Sequence, residues 1–443
     1  MSRRILGGNH DRVTVDVRSA GTSADRDLGF PDIVPDAIRK KIANGNFIRK
    51  NIPTLPKICS KMTIKLYLPK TDADTRRYKI YIHHLYFLIN TLYLNFAHEF
   101  EQKVECQNME LPKIDITLYH IDVPRIFKLG EKFPYINGGY TEFDVTAPVS
   151  RSDGSRRTSG IDPERGGDSV PFGTNSEHKI VVFRAEEMDR VIIHEMVHVF
   201  GFDIPKTGQR KLPAPYLSCN EDTININEAI TDFIAVVIVT RISRYYNYKH
   251  ERIWSYIQAA RVTKLLGFTD VAQIWNSPSC IAEKTSLIAY FVIKSALLHT
   301  YRTRGYRKLL KIQSFDENPK QGIFEKYRLL SDTNSIADLL RFVMKFRRGE
   351  NATSSRDVGF GKLKSIIGKL REKKESRKEY NFANLIGAAV LDPEWQKEVN
   401  DRILHPKLFS KSGTASAKMS ITESILPSDV DSADFYTKTI YTI

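Results

Sequence analysis

Short segments in the first half of the chain alternate apolar with polar residues, which is the pattern of half-buried β-strands. Residues 62–69 read M-T-I-K-L-Y-L-P, and residues 114–123 read I-D-I-T-L-Y-H-I-D-V. A third segment, residues 179–184, is short and rich in β-branched side chains. We therefore predict a strand at each of these three places, with Pro69 ending the first.

A spacing of three and four residues runs through residues 73–104 and predicts one long helix that packs across the strands. The apolar residues with this spacing are Tyr78, Tyr81, Leu85, Leu88, Ile89, Leu92, Leu94 and Phe96. Three histidines of the same stretch, His83, His84 and His98, are expected on the helix surface. A shorter helix is predicted to begin near Pro35.

Residues 135–143 read Y-I-N-G-G-Y-T-E-F, an extended aromatic segment that contains two glycines. Two interpretations stay open. The segment could be an edge strand, with Gly138, Gly139 and Tyr140 closely approached by a substrate peptide that adds itself as a further strand. It could also be a plain hairpin turn at Asn137-Gly138.

The second half of the chain has helical spacing almost throughout. Helices are predicted at about 224–246, 249–266, 268–276, 280–303 and 392–403, with shorter pieces up to about 345 and a basic segment at 360–380. The polar residues 1–30 are expected to be disordered or loosely held, and residues 150–177 to form a long loop. The fold class predicted from this order is α+β, with a small mixed sheet followed by a mainly α-helical half.

Net charge adds one expectation about partners. The 443 residues carry a charge of +15, which favours an acidic partner such as nucleic acid, bound through basic tails, an anionic membrane surface or an acidic substrate. General solubility with basic tails is the simpler interpretation, because no nucleic-acid-binding module is recognisable.

Neither a transmembrane segment nor a signal peptide is predicted. The longest apolar run, Leu287 to Leu298, is interrupted by Lys294 and is shorter than the roughly 20 residues of a membrane-spanning helix. The N-terminal residues lack the apolar core of a secretion signal. The cysteines have no C-x-x-C spacing, so we expect isolated thiols and an intracellular or virion-associated protein.

The strongest chemical signal is the motif H-E-x-x-H at residues 194–198. Positions four apart share a face of a helix, so His194 and His198 can reach one metal ion together. Glu195 projects about 100° round from His194 on a 3.6-residue helix, near enough to hold a water beside the metal. Zinc suits this set because it accepts imidazole ligands and leaves a position open for water. The alternative is an amphipathic helix with two solvated histidines.

Asp203 and Glu228 are the two candidates for the third ligand. Asp203 lies close by, but it is one residue short of the position that metzincin-type sites use, six residues after the second histidine. Glu228 and Asp232 are better placed, because they are four apart on a predicted helix with apolar neighbours. Glu228 could supply an oxygen ligand, and Asp232 could accept the free ring N–H of a ligating histidine.

With these residues the sequence resembles the gluzincins, the thermolysin-like clan of zinc metallopeptidases. The resembling motifs are H-E-M-V-H at 194–198 and N-E-A-I-T-D at 227–232, and the resemblance covers roughly residues 175–240. It implies Zn²⁺ bound by His194, His198 and Glu228. It also implies that Glu195 is the general base, that Asp232 orients a histidine and that Asn227 braces the site.

The resemblance implies a zincin-like catalytic domain. Together with composition and helical spacing, it predicts a division of the whole chain. The predicted regions are a partly disordered N-terminal arm at 1–55, the α/β upper part of the catalytic domain at 56–205, its helical lower part at 206–310, a C-terminal helical region at 311–409 and a Ser/Thr-rich tail at 410–443.

Peptide hydrolysis also develops an oxyanion that needs a hydrogen-bond donor besides the metal. Relatives use a histidine or tyrosine from the helical half. Tyr290 is the first candidate and His299 the second; Tyr245, Tyr246 and Tyr248 are others. Cys219 could cap the metal in a latent form, although a spectator thiol is the simpler interpretation.

The predicted function is therefore that of a zinc-dependent metallopeptidase, a hydrolase acting on a peptide or protein substrate. An endopeptidase is favoured because no motif for gripping a free amino terminus is visible. Two alternatives stay open. One is a catalytically silent, metallopeptidase-like structural or assembly protein that binds partners through basic surfaces. The other is a nucleic-acid-associated factor.

Overall fold

The structure is a computed structural model. It describes residues 16–19, 34–52, 54, 62–70, 113–130, 136–143, 177–200, 226–242, 248–276, 286–301 and 382–421, and helical positions between 81 and 96. Several sequence predictions lie outside the described residues. Among them are the histidines His83, His84 and His98, the loop at 150–177 up to residue 176, Asp203, Cys219, Tyr245, Tyr246, the helices between 303 and 345 and the basic segment at 360–380.

A mixed sheet of six strands forms the first half. Its strands are β1 (Asp16–Ser19), β2 (Phe47–Ile52), β3 (Met62–Pro69), β4 (Lys113–Tyr119), β6 (Gly139–Phe143) and β7 (Glu177–Val182). The two remaining strands, β5 (Ile126–Lys128) and β8 (Thr414–Ser416), pair with each other in a separate two-stranded sheet. The order across the sheet is β1-β2-β3-β4-β7-β6. The three central strands β3, β4 and β7 are parallel, and β6 is an antiparallel edge strand beside β7.

The strand at 62–69 is confirmed, and so is the edge position of the glycine-containing segment. The strand predicted at 179–184 is present but lies two residues earlier, at Glu177–Val182. The strand at 114–123 ends earlier than predicted, at Tyr119, because the chain turns there and Ile121 N donates to Tyr119 O at 3.0 Å. The expectation of a disordered arm is wrong for residues 16–19. They form β1 because they pair with β2 along four positions, from Asp16↔Asn51 to Ser19↔Ile48.

The sheet has a core on each face, as strand alternation requires. Ile64, Leu66 and Leu118 lie on one face, which is covered by the helical half and by the helical positions between 81 and 96. All of the described helical positions between 81 and 96 are buried. The other face carries Tyr119, Tyr140 and Val181 and packs against α1 (Asp36–Asn44). That helix begins one residue after Pro35, as predicted.

The described part of the second half is mainly helical, as predicted. The bounds of its helices are α2 (Met188–Val199), α3 (Ile226–Ile242), α4 (Tyr248–Leu265), α5 (Gln273–Asn276), a π-helical turn (Ile288–Ile293), α6 (Lys294–Thr300), α7 (Phe382–Val390) and α8 (Pro393–Ile403). The middle of α3 is buried on every side from Ala229 to Val239, which is typical of a helix at the centre of a core.

Two predicted elements differ in extent. The helix expected at 268–276 is only α5, because the backbone N–H groups of Thr269 and Asp270 donate to the side chain of Gln273 and hold the preceding residues in a turn. The tail expected from residue 410 contains β8 and the buried residues Ala417 and Ile421. Residues 422–443 lie outside the described part of the chain.

The predicted α+β class with a mixed sheet is confirmed. Among the described helices, none has both the length and the apolar character that crossing a bilayer requires.

Candidate metal centre

Helix α2 brings the H-E-x-x-H motif into the core. All but one of its twelve residues are buried, and apolar side chains such as Ile192, Ile193 and Val197 surround the motif. The helix begins at Met188, directly after the acidic residues Glu186 and Glu187. Glu187 stands just before it with a φ of 60°, a left-handed conformation that is uncommon outside glycine.

Three side chains from α2 and α3 converge at one point. His194 Nε2 lies 3.0 Å from Glu228 Oε2 and 3.1 Å from His198 Nε2, and His198 Nε2 lies 3.7 Å from Glu228 Oε1. Helix α3 supplies Glu228 in its first turn. The structure therefore brings together the three predicted ligands, although 34 residues separate His194 from Glu228.

These separations fit a bound cation. Ligand atoms at 2.0–2.1 Å from a tetrahedral zinc ion lie roughly 3.3 Å from one another, and the three observed separations lie on either side of that value. Two imidazole nitrogens facing each other at 3.1 Å also need a proton or a cation between their lone pairs. Two imidazoles and one carboxylate form a donor set that zinc accepts and that leaves a position for water.

Asp232 holds His194 from behind. Its Oδ1 is 3.3 Å from His194 Nδ1, and its carboxylate accepts hydrogen bonds from Arg190 and, at 2.7 Å, from Lys294 Nζ. Asp232 is fully buried. Burial alone would raise its pKa, but Arg190 and Lys294 outweigh burial and hold the pKa well below its ordinary value. Because Nδ1 faces Asp232, Nε2 is the His194 nitrogen that faces the ligand cluster.

The pKa values of His194 and Glu228 are set by the same opposition between burial and neighbouring polar groups. Burial would lower the pKa of His194, but hydrogen bonds to Asp232 and Glu228 raise it. Burial would raise the pKa of Glu228, but His198 and His194 hold it well below its ordinary value. The carboxylates are therefore charged when they face the imidazoles, which is the state that ligates a cation.

Glu195 reaches the edge strand of the sheet. Thr141 Oγ1 donates to Glu195 Oε2 at 2.7 Å. Gly139, two residues before Thr141 on β6, faces Val191, which is four residues before Glu195 on α2. Two residues of a strand rise about 6.6 Å and four residues of a helix rise about 6 Å, so β6 and α2 stay in register and bring Thr141 opposite Glu195.

The three predicted substrate-binding residues have identifiable packing roles. A Cβ on Gly139 would lie 2.7 Å from Val181 O and 2.8 Å from Val191 Cγ1. A Cβ on Gly138 would collide with Arg125. Close approach of α2 to β6 thus explains the glycines, and the side chain of Tyr140 packs in the core on the opposite face of the sheet. Any contribution of these three residues to substrate binding must therefore come from their backbone.

Tyr290 is the candidate donor that lies at the ligand cluster. Its hydroxyl donates to Glu228 Oε2 at 2.6 Å, and its ring centroid is 5.8 Å from that of His194. It belongs to the π-helical turn, a helix type that occurs mainly at functional sites. Burial, followed by the neighbouring charge of Glu228, raises the pKa of Tyr290 well above its ordinary value and keeps its proton in place.

The other predicted residues have different surroundings. His299 Nδ1 lies 2.7 Å from the hydroxyl of Tyr256, in a separate cluster, and Tyr248 donates to Leu298 O at 2.5 Å. Neither is placed beside the ligands. Asn227 is buried in the first turn of α3, one residue before Glu228.

The C-terminal residues complete a network behind the site that the sequence analysis missed. Lys294 Nζ, besides Asp232, donates to Met419 O at 2.5 Å. Ser420 N donates at 2.6 Å to Glu187, whose carboxylate also accepts from Arg125 and Arg190. The only local signal was Lys294 itself, a charge inside an otherwise apolar run.

Comparison of the chain with protein-family models, with curated proteins and with solved structures gives no match. The resemblance of the two motifs to those of the gluzincins therefore stays a prediction.

Proposed function

We propose that the protein is a zinc-dependent metallopeptidase with a zincin-like catalytic domain. The observation that carries this proposal is the convergence of His194, His198 and Glu228, with Glu195 on the next position of the same helix. A zinc ion bound there would lower the pKa of a water molecule and polarise a substrate carbonyl.

Glu195 has the position of a general base. Its carboxylate takes a proton from the attacking water and passes it to the nitrogen of the leaving amine. The hydrogen bond from Thr141 to one oxygen, Oε2 at 2.7 Å, fixes the rotamer and leaves Oε1 for the water. Thr141 therefore acts as a positioning residue for the base.

Tyr290 supplies a donor for the oxyanion that develops on the scissile carbonyl. In the structure its hydroxyl donates a hydrogen bond to Glu228 Oε2. Moving the hydroxyl to a substrate oxygen exchanges one charge-assisted hydrogen bond for another. Such a donor is worth about 3–4 kcal/mol of transition-state stabilisation in acyl-transfer enzymes.

The substrate is a peptide or protein that binds in an extended conformation along β6. This strand is the edge of the six-stranded sheet, and its other side pairs with β7. An extended peptide can add itself to such an edge through backbone hydrogen bonds. Thr141 on β6 is hydrogen-bonded to Glu195, so a peptide paired with β6 passes beside the base. No further motif for a free amino terminus is needed, which favours an endopeptidase.

The decisive test is Glu195→Gln, with Glu177→Gln as its matched control. Glu177 begins β7, is exposed and is paired with Lys113, outside the ligand cluster and outside the pairing of β7 with β6. Glu195→Gln should keep one zinc ion at this site by mass spectrometry and lose cleavage of a proteome-derived peptide library. Glu177→Gln should keep both. Full cleavage by Glu195→Gln would refute the proposal.

The same experiment separates the alternative functions. Tight zinc binding by the wild-type chain with no cleavage of any library peptide would instead support a structural or assembly protein that uses the fold without hydrolysis. An acidic or nucleic-acid partner for the basic chain stays a prediction, and salt-sensitive binding to DNA or RNA at low ionic strength would support it.

A further inference from the structure

A second cluster of metal-ligating side chains lies between α4, α6 and α8. His299 is near the end of α6, Asp392 stands immediately before α8, and Glu394 is in its first turn. His299 Nε2 is 3.7 Å from Asp392 Oδ2 and 3.9 Å from Glu394 Oε2. One ligand atom of each lies within 4.8 Å of the other two.

These separations are too long for hydrogen bonds, yet they are close to the distance between two ligands of one cation. Atoms bound to zinc at about 2.0–2.1 Å are roughly 3.3 Å apart. The two separations from His299 Nε2 exceed this distance by about half an ångström, and the two carboxylates, whose ligand atoms lie within 4.8 Å of each other, would close on the same ion. We propose that His299, Asp392 and Glu394 form a second metal site, which takes a divalent transition-metal ion, zinc in the first instance.

Two of the three ligands are held in orientation by other contacts. Asp392 Oδ1 accepts from Glu394 N at 3.0 Å as the cap of α8, which directs the second oxygen toward His299. The hydroxyl of Tyr256 lies 2.7 Å from His299 Nδ1. If Nδ1 carries the ring proton and donates it to Tyr256, Nε2 is left with a lone pair for the metal, the usual arrangement of a ligating histidine.

Space and charge around the cluster suit a hydrated ion. A cavity of about 380 Å³ adjoins it, lined by His299 and Glu394 together with Arg252, Ile253, Tyr256, Glu398 and Arg402. The cavity has room for water ligands beside His299 and Glu394. Arg252 and Arg402 bring two positive charges to this region, and Asp392, Glu394 and Glu398 bring three negative charges. Glu398 Oε2 accepts from Arg402 NH1 at 2.8 Å.

The donor set selects the class of ion. One imidazole and two carboxylates suit Zn²⁺ and its transition-metal neighbours, whereas Ca²⁺ and Mg²⁺ prefer oxygen ligands alone. An ion here would join α6 to α8. Helix α6 begins with Lys294, which holds Asp232 at 2.7 Å, so the ion would also anchor the far end of the helix that supports the first site.

The test is the number of zinc ions bound by the full-length chain after equilibration with a zinc buffer, measured by mass spectrometry. We expect two per chain for the wild type and one for Asp392→Asn, since asparagine keeps the helix cap but lacks the charge. Glu394→Gln, at a side chain that is 73% exposed, should also bind one. Asp401→Asn, at an exposed acid of α8 that belongs neither to the cluster nor to the cavity lining, should still bind two.

A second measurement keeps this proposal separate from the first site. In the background Glu228→Gln, zinc should still raise the unfolding temperature, and the added change Asp392→Asn should abolish the increase. Equal zinc content in wild type and Asp392→Asn would overturn the proposal and identify the cluster as a histidine–carboxylate ion pair. Loss of zinc in Asp392→Asn but not in Glu228→Gln would uphold this site and refute the peptidase centre.

Discussion

Lys294→Met is the sharpest probe of how the helical half supports the candidate metal centre. Lys294 is 1% exposed, and its Nζ lies 2.7 Å from Asp232 Oδ2 and 2.5 Å from Met419 O. Methionine fills a similar volume without a charge. The substitution therefore leaves a buried carboxylate oxygen and a buried carbonyl without this donor, while Arg190 still contacts Asp232.

The size of the effect follows from those contacts. Removing one partner of a buried ion pair costs about 3–5 kcal/mol, because the remaining charge stays buried. Arg190 remains on Oδ1, so we expect the lower end, about 3 kcal/mol of unfolding free energy. Because Asp232 Oδ1 lies 3.3 Å from His194 Nδ1, zinc affinity at the first site should also fall, by roughly 10- to 100-fold as for other groups behind a metal ligand.

Urea unfolding followed by circular dichroism measures the first quantity, and competition with a chelator measures the second. Lys264→Met is the matched control, because Lys264 is exposed near the end of α4 and surface substitutions change stability by only about 0.5 kcal/mol. If Lys294→Met matched this control in both measurements, the account of Asp232 as a residue held by two cations would be wrong.

Three further predictions concern other parts of the site. Thr141→Val should lower kcat/KM by roughly tenfold or more without loss of zinc, because Glu195 loses a charge-assisted hydrogen bond. Thr141→Ser keeps the hydroxyl and should retain activity. Peptide-cleavage kinetics and metal analysis check both variants. Gly139→Ala should destabilise the fold by about 1–3 kcal/mol, because its Cβ would make contacts of 2.8 Å or less. Gly387→Ala is the control: its Cβ would meet nothing within 4 Å, so it should be neutral or stabilising in the same urea titration. Burial raises the pKa of Glu251 from 4.5 to about 7. The folded state therefore binds the proton more tightly than the unfolded state, and about 3 kcal/mol of stability should be lost as pH rises from about 4.5 to 7; Glu251→Gln should remove this pH dependence.

The residues that meet at the candidate metal centre could be predicted because each motif has its own local periodicity. His194 and His198 are four apart on one helix, as are Glu228 and Asp232 on another, and both pairs have apolar neighbours. Burial of a carboxylate among apolar residues demands a partner. The acid pair and the histidine pair therefore predict each other, even though 34 residues separate His194 from Glu228.

The residues that support this centre could not be predicted in the same way. Thr141 contacts Glu195 across 54 residues of sequence, and Lys294 contacts Asp232 across 62. A single polar residue on an edge strand or one lysine in an apolar helix has no periodicity that names its partner. The π-helical turn at Tyr290 has no recognisable sequence signal either, so its donor could be chosen only among several aromatic residues.

The start of the histidine helix shows why the C-terminal segment must be counted with the site. Glu187 precedes α2 in a left-handed conformation, which costs roughly 1–2 kcal/mol for a non-glycine residue. Its buried carboxylate accepts from Arg125, Arg190 and Ser420 N, and these bonds offset the strain. The point at which the helix begins, and hence the direction in which His194 projects two turns later, is therefore fixed by a residue 233 positions away in sequence. A chain ending at residue 409 would keep both motifs but lose this constraint, which is why local sequence could locate the ligands and not the structure that orients them.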